Sequence, residues 1–534
     1  MVHVARPARV NATAGREPGG LLRANVLVAL GTGLSRITGF LRLMALAAAI
    51  GQLSLADAYN IANNTPNIVY ELLLGGVFSA ALVPFFVARY EDRDDDAVSK
   101  VVTVSIVALL AVTVTATLAA PWIVRLYTTA ATGTQPSALR AVATTFARFF
   151  LPQIFFYGIA GLATALLNAK RRFVAAAFAP ALNNIVAIGA FLALPHFVET
   201  KDLANNLDLA RDSTTLVRLL GLGTTLGVVA SALVLLPALK SAGIAIKLRF
   251  APRDPAVREL VRRSTWTIGY VVANQISVVV VTALAQRRSG EVSAYFNAFA
   301  LFALPHGLLA ASIITTFTPD LARFAHRGDT RLVARRISLG LRALVLLVLP
   351  TAVLLVTLSR PFIGVVLEHG AFTATSAGVT ARALAAFGVG LLGFSAYLFL
   401  LRGFYAFGDT RTPFKLNVME NALNIGLAVP FAARWGVMGV ALSFSIAYLV
   451  AAIVTYALLA LRLGGIASRR QWMMIAQVGA STLVMAGAAH FVANRVDGWL
   501  TRTVLGSVVA AVAFSVTFVT LRLPDIHAAR AARP

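Results

Sequence analysis

The sequence predicts an all-α polytopic membrane protein, and three observations carry that reading: composition, apolar runs of span length, and the placement of basic residues between them. Of 534 residues, 58% are hydrophobic and 13% charged, and the mean hydropathy is +0.79, outside the range of ordinary soluble domains. About fourteen runs are long enough to span a bilayer. They fall near 26–50, 61–88, 101–124, 142–167, 173–195, 215–239, 264–286, 293–322, 337–358, 380–406, 414–433, 437–461, 472–493 and 500–521. Alternate loops counted from the N-terminus hold roughly 31 of the 47 Lys and Arg residues, against about 13 in the other set, the asymmetry that orients membrane proteins. Both termini are therefore expected in the cytoplasm.

The same composition excludes several function classes. There is no cysteine, so disulfides and cysteine-based metal, redox or nucleophilic chemistry are ruled out. The net charge of +25 comes from arginines that punctuate apolar runs rather than from a basic domain with interleaved aromatics. It points to topology and an anionic lipid or substrate, not to nucleic acid. Seven histidines show no metal-ligand spacing, and no P-loop or nucleophile elbow occurs. The GxGxxG match at Gly388, Gly390 and Gly393 lies inside an apolar span with no preceding strand and reads as helix packing. No enzyme activity, metal or cofactor is expected.

Taken in order, residues 1–25 form a basic tail, and the apolar run after it is too long and too interrupted by arginine for a signal peptide. That first span carries Ser35-Arg36-Ile37-Thr38-Gly39-Phe40-Leu41-Arg42. An arginine at mid-membrane costs at least about 2.5–3.5 kcal/mol, so such groups normally face water or a partner. Arg36 and Arg42 point about 120° apart on a helix, so both line one cavity only if it is broad or the helix bends near Gly39. The second span follows the acidic turn at Asp57 and carries Pro66, Glu71 and Gly75-Gly76. Glu71 lies at the depth of Arg42; it either pairs with that arginine or titrates alone and couples transport to protons.

Pro66, Pro84, Pro152, Pro180 and Pro305 interrupt later spans as hinges or static kinks. Trp122, Tyr127 and Trp499 near span ends read as interfacial anchors. On the span from Phe414, Asn417, Glu420, Asn421 and Asn424 share one helical face at i, i+3, i+4 and i+7. This stripe either packs helices by hydrogen bonds or, with Asn274 and Gln275, holds a cation.

The chain also repeats. Phe173 with Ala181-Leu182-Asn183 recurs as Phe414 with Ala422-Leu423-Asn424, Pro121-Trp122-Ile123 as Pro361-Phe362-Ile363, and Pro84 with Ala88-Arg89-Tyr90 as Pro319 with Ala322-Arg323-Phe324. The similar offsets, about 240, 240 and 234 residues in the same order, imply two six-helix halves in the same orientation, with any substrate site between them. The expected organisation is a tail at 1–25, a first half at 26–240, a basic cytoplasmic linker at 241–263, a second half at 264–462, two extra transmembrane helices at 463–522 and a cytoplasmic tail at 523–534.

The first-span motif, with Ala56-Asp57-Ala58-Tyr59, Pro66-Asn67, Gly76-Val77-Phe78-Ser79-Ala80 and Val83-Pro84, resembles the opening of the MurJ (MviN) lipid II flippases. Leu167-Asn168, Arg172-Phe173, Ala177-Phe178-Ala179-Pro180, Phe404-Tyr405-Ala406 and Asp409-Thr410-Arg411-Thr412-Pro413 extend the resemblance. It implies a 14-span exporter of the multidrug/oligosaccharidyl-lipid/polysaccharide superfamily in the bacterial plasma membrane. Its substrate would be the lipid-linked peptidoglycan precursor lipid II. Ser35, Arg36 and Arg42, with Gly39 in the same motif, match residues lining a central cationic cavity, and Asp57 matches an acid at its outer side. Family basic positions fall here on Tyr70, Glu71 and Ala300, and an acid after the second arginine is Leu43. The acid of a sodium site in the seventh span of some relatives is absent. Membrane lipids and cell-wall synthesis proteins are the implied partners, and a monomer is expected. Two other readings stay open: a flippase for another polyprenyl-linked oligosaccharide or a cation-coupled drug exporter of the same superfamily, and a nontransporting scaffold for cell-wall enzymes.

Overall fold

The computed structural model describes residues 18–74, 77–129, 136–198, 207–466 and 469–531, and their side chains except at 18–25, 68–81, 263–268, 270–271, 469–470 and 523–531. Among the described residues every regular element is helical. The first helices are α1 (Pro18–Ile50), α2 (Ser54–Leu74), α3 (Val77–Glu91), α4 (Asp95–Leu118), α5 (Ala120–Tyr127), α6 (Pro136–Phe150), α7 (Gln153–Ala169) and α8 (Val174–Phe197). Next come α9 (Leu207–Asp212), α10 (Thr214–Leu233), α11 (Leu235–Ser241), α12 (Pro255–Leu284) and α13 (Glu291–Pro305). A π turn (His306–Ala310) leads to α14 (Ala311–His326), α15 (Thr330–Thr357), α16 (Ser359–Val366), α17 (Ala374–Ala406), α18 (Arg411–Leu463), α19 (Arg469–Ala493) and α20 (Trp499–Ala531).

Eleven stretches among the described residues are long and apolar enough to cross a bilayer, and the difference from about fourteen expected runs has local causes. α18 is one 53-residue stretch covering two expected spans, but Gly436 inside it adopts φ 58, ψ −139, a conformation open to glycine and closed to L side chains. The second expected span, 61–88, instead occupies α2 and α3. In the seventh, α12 runs unbroken from the basic linker to Leu284, and Val272–Leu284 is its apolar stretch among the residues with described side chains.

Two large cores hold most of the helices. Tyr59, Phe146, Phe150, Phe191 and Leu220 belong to one among α2, α6, α8 and α10. Phe302, Phe387, Leu391 and Tyr397 belong to the other, between α13 and α17. In the second core, Phe387 meets Phe302 and Phe444 with ring centroids 5.4 and 5.3 Å apart, and such aromatic pairs add about 0.5–1.5 kcal/mol each beyond area burial. Gly390 and Gly393 lie where an added Cβ would meet Ser445 and Leu449; the GxGxxG glycines thus serve close packing of α17 on α18. α19 and α20 dock on α15 through Leu358, Met485 and Ala510, and leave Leu483, Phe491 and Val512 exposed, as expected of faces turned to hydrocarbon.

Equivalent turns recur between the two sets. Arg93 (φ 56) before the N-cap Asp94 corresponds to Gly328 (φ 72) before the N-cap Asp329, and the short helices α5 and α16 follow α4 and α15 in the same way.

The linker is strapped to the first set by Arg249 N–H donating to Thr103 Oγ1 (3.0 Å) and by Lys100 pairing with Asp254 (2.9 Å). Asp254 also caps α12 by accepting from Ala256 N–H at 2.9 Å. The Lys100 ammonium and that N–H hold its carboxyl below the usual range. One anchor expectation is corrected: Tyr127 is buried, with its carbonyl accepting from Gln286 Nε2 at 2.5 Å, so it packs inside the fold. Trp122 is 69% exposed.

Candidate functional site

α1, α2 and α8 of the first set and α13 of the second enclose a hollow of about 290 Å³. Arg42 and Gly39 line it from α1; Asn60, Asn63, Asn64 and Asn67 from α2; Asn184 from α8; Asn297 and Ala300 from α13. Among the described residues that line it there is no carboxylate, and they present one guanidinium and six side-chain amides. Such a lining suits an anion carried on a polar, hydroxyl-rich body: the guanidinium supplies a planar fork of donors, and each amide both donates and accepts.

α1 is positioned by Asn184, whose Nδ2 donates to the Ser35 carbonyl and to Thr38 Oγ1, both at 3.2 Å. Asn63 Oδ1 and Asn64 Nδ2 are buried without a hydrogen-bond partner, so the hollow holds unspent hydrogen-bonding capacity.

Arg36 lies outside this lining. Its guanidinium rests against Gly307, where an added Cβ would overlap Nη1. Gly307 sits in the π turn directly after Pro305. Proline removes a backbone donor and the wider turn absorbs the break, which opens room for the guanidinium. Arg36 thus bridges the two helix sets while Arg42 faces the hollow, as their angular separation on α1 requires. The side chain of Glu71, expected either to pair with Arg42 or to titrate alone, lies outside the described residues.

Asp57 does not face the hollow. It is 4% exposed and accepts from Gly290 N–H (2.6 Å), Ser293 N–H (2.8 Å) and Ser293 Oγ (2.7 Å). Gly290 is the N-cap of α13, with φ 85 and no side chain to satisfy the first turn; a carboxylate 233 residues away in sequence does so instead. The helix N-terminus favours that negative charge. Around it, Ser54 and Ser289 hydroxyls meet at 2.8 Å, Gln52 Oε1 accepts from Thr380 Oγ1 at 2.6 Å, and Ala371 N–H donates to the Ala48 carbonyl at 2.9 Å. These bonds latch the helix sets together at the end opposite the basic loops.

The stripe on α18 is packed away from the hollow. Asn417 and Asn421 both donate to Asn274 Oδ1 of α12 at 2.9 Å, Asn424 Oδ1 accepts from Ser443 Oγ at 2.9 Å, and Glu420 accepts from Tyr448. All four are buried, Glu420 to 1% exposure. Of the two readings of this face, interhelical bonding accounts for the geometry. Among the described residues no cluster of three His, Cys, Asp or Glu groups forms a metal site.

Sequence reasoning missed the α2 asparagines, although Asn60, Asn63, Asn64 and Asn67 have the same i, i+3, i+4, i+7 spacing that singled out α18. It also missed Asn297 and the latch partners Gln52 and Ser293.

The two helix sets around this hollow make a fold that solved membrane transporters share. An inward-facing multidrug resistance MATE family transporter of the MOP superfamily superposes with a TM-score of 0.67 at 16% identity, covering 83% of this chain and 98% of that one. A lipid II flippase MurJ in an inward closed conformation gives 0.77 at 21% identity, covering 94% and 99%. The profile of the lipid II flippase MurJ family matches residues 46–510. The lipid II flippase MurJ of Burkholderia cenocepacia is 30% identical over 488 residues, 89% of this chain and 91% of that protein. This chain belongs to the lipid II flippase MurJ family.

Proposed function

We propose that this chain moves lipid II from the inner to the outer leaflet of the bacterial plasma membrane, passing its diphosphate and glycopeptide head through the hollow lined by Arg42. The observation that carries the reading is the lining itself: among the described residues, a guanidinium with six amides and no acid between two helix sets. A cationic drug would call for carboxylates there. Arginine meets a diphosphate through paired charge-assisted hydrogen bonds without losing its proton, and the amides suit sugar hydroxyls and peptide groups. The polyprenyl tail need never leave hydrocarbon, which spares about 0.8 kcal/mol for each CH₂ kept in lipid.

In this reading Ser35, Arg36, Gly39 and Arg42 handle the head. Asp57 acts on access rather than on substrate: alternating access requires its bonds to α13 to break when the latched end opens. The two termini and the basic linker lie in the cytoplasm, supported by the Lys/Arg asymmetry, so the latched end is the outer one. For coupling, the reading takes Glu71 and Glu420, the latter among Asn417, Asn421 and Asn424, since each is an intramembrane acid. Moving one net charge responds to membrane potential at about 2.3 kcal/mol per 100 mV.

The test is delivery of labelled lipid II to the outer leaflet in cells depleted of their own flippase. Arg36→Ala and Arg42→Ala each abolish delivery while the protein still inserts; normal delivery in both contradicts the reading.

A further inference from the structure

A second cavity, of about 510 Å³, lies wholly within the C-terminal helix set at the latched end. Arg287 and Arg288 of the turn between α12 and α13, Arg382 near the start of α17, and Arg434 beside the Gly436 kink of α18 all line it, together with Trp435 and Glu291. Four guanidiniums here run against the topology: basic residues are sparse on the face opposite the basic loops, and four of those present converge on one concavity. Three other arginines on that face have partners. Arg360 pairs with Glu368 at 2.7 Å, Arg502 with Asp497 at 3.7 Å, and Arg140 donates to the Thr128 carbonyl at 3.0 Å.

Among the described residues none of the four pocket arginines forms an ion pair. The pocket's single carboxylate, Glu291, accepts from the backbone N–H groups of Val437 and Arg288 and lies where a Cβ on Gly436 would meet it. Glu291 therefore pins the kink of α18 to the start of α13, and four cations face one carboxylate. Arg434 lies over the Trp435 ring, 5.6 Å from its centroid. Tryptophan at a span end marks the headgroup level of the bilayer. A concave group of like charges focuses potential and raises the local concentration of counter-ions.

We propose that this pocket is an anion site that binds the phosphate-bearing headgroup of a lipid in the leaflet opposite the basic loops. Phosphate oxygens fit the guanidinium forks in pairs, and Trp435 packs on the lipid below them. Two lipids share that chemistry: an anionic phospholipid resident in the leaflet, and the diphosphate lipid after transport, the second resting on the function proposed above.

The experiment is isothermal titration of the full chain in phosphatidylcholine nanodiscs, in an Arg36→Gln/Arg42→Gln background that removes the central guanidiniums. Inorganic pyrophosphate and dihexanoyl phosphatidylglycerol are the anionic probes, and dihexanoyl phosphatidylcholine is the neutral control. One equivalent of an anionic probe binds, and adding Arg382→Gln/Arg434→Gln weakens it at least about tenfold. Both side chains are exposed, so the variant retains the parent's melting temperature, and Arg382→Lys/Arg434→Lys recovers part of the affinity. Tighter pyrophosphate supports the transported lipid, and tighter phosphatidylglycerol the resident one. Equal anion binding with and without Arg382 and Arg434, no anion binding, or equal binding of phosphatidylcholine overturns the site. Normal lipid II delivery by the central arginine variants would remove the transport reading and leave this binding result standing, so the two failures are distinguishable.

Discussion

α2 and α18 carry the same polar spacing and put it to opposite uses. Asn60, Asn63, Asn64 and Asn67 on α2 are half-buried along a hollow. Asn417, Glu420, Asn421 and Asn424 on α18 are buried against neighbouring helices. The difference lies in what stands opposite. α12 offers Asn274 and Ser277 to α18, whereas across from α2 stand the Arg42 side of α1 and, on α13, Phe296, Asn297 and Ala300. Periodicity therefore reports a polar face; whether that face is glue or lining is decided by the helix it meets.

The comparison breaks most visibly at Arg42. If the α2 side is the transport path, Arg42→Ala lowers lipid II delivery by more than about a hundredfold, beyond about 2.7 kcal/mol of lost stabilisation, with little change in melting temperature. A comparable loss of thermal stability would instead make Arg42 a structural residue. On the other stripe the balance reverses. Asn421→Leu removes the donor to Asn274 and the Asn417 carbonyl, at 2.9 Å each, and leaves each acceptor one bond short. A cost of about 1–3 kcal/mol in stability is expected, read by thermal or denaturant unfolding in detergent.

Asn63→Ala/Asn64→Ala tests the α2 stripe itself. The unpartnered amide atoms there imply a stability change within about 0.5 kcal/mol, against a fall in delivery of about tenfold, the worth of one or two hydrogen bonds to substrate. The smallest effect belongs to a water-exposed pair outside both stripes. Asp254, held below the usual carboxylate range by Lys100 and the Ala256 N–H, adds stability that is present above its unfolded pKa and lost as pH falls through its lower folded value. Asp254→Asn thus costs no more than about 1 kcal/mol at neutral pH and flattens the loss of melting temperature on acidification below about pH 4.

Much of the architecture was legible in the chain because hydrocarbon imposes simple rules on length, hydropathy and charge placement. The motif from Ser35 to Arg42 picked out the helix on which the site is built, and the glycines at 388–393 sit in the helix contact that their context implied. Three things were hidden for physical reasons. Gly436 divides α18 by a backbone conformation, which hydropathy does not register. Asp57 and its acceptor role on α13 depend on a contact across 233 residues, and no local pattern encodes it. The α2 asparagines carried a visible signal, but Pro66 and Glu71 on the same helix drew the reading elsewhere. A polar stripe alone does not say which partner it faces.

The absence of cysteine allows one clean measurement of the central claim. Asn63→Cys and Asn421→Cys, placed singly, are exposed to a membrane-impermeant thiol reagent in inverted vesicles, with and without added lipid II. Asn63→Cys should label and be protected by lipid II, while Asn421→Cys stays unlabelled in both conditions. Equal labelling at the two positions, or labelling of Asn63→Cys that lipid II leaves unchanged, would contradict a substrate path along α2.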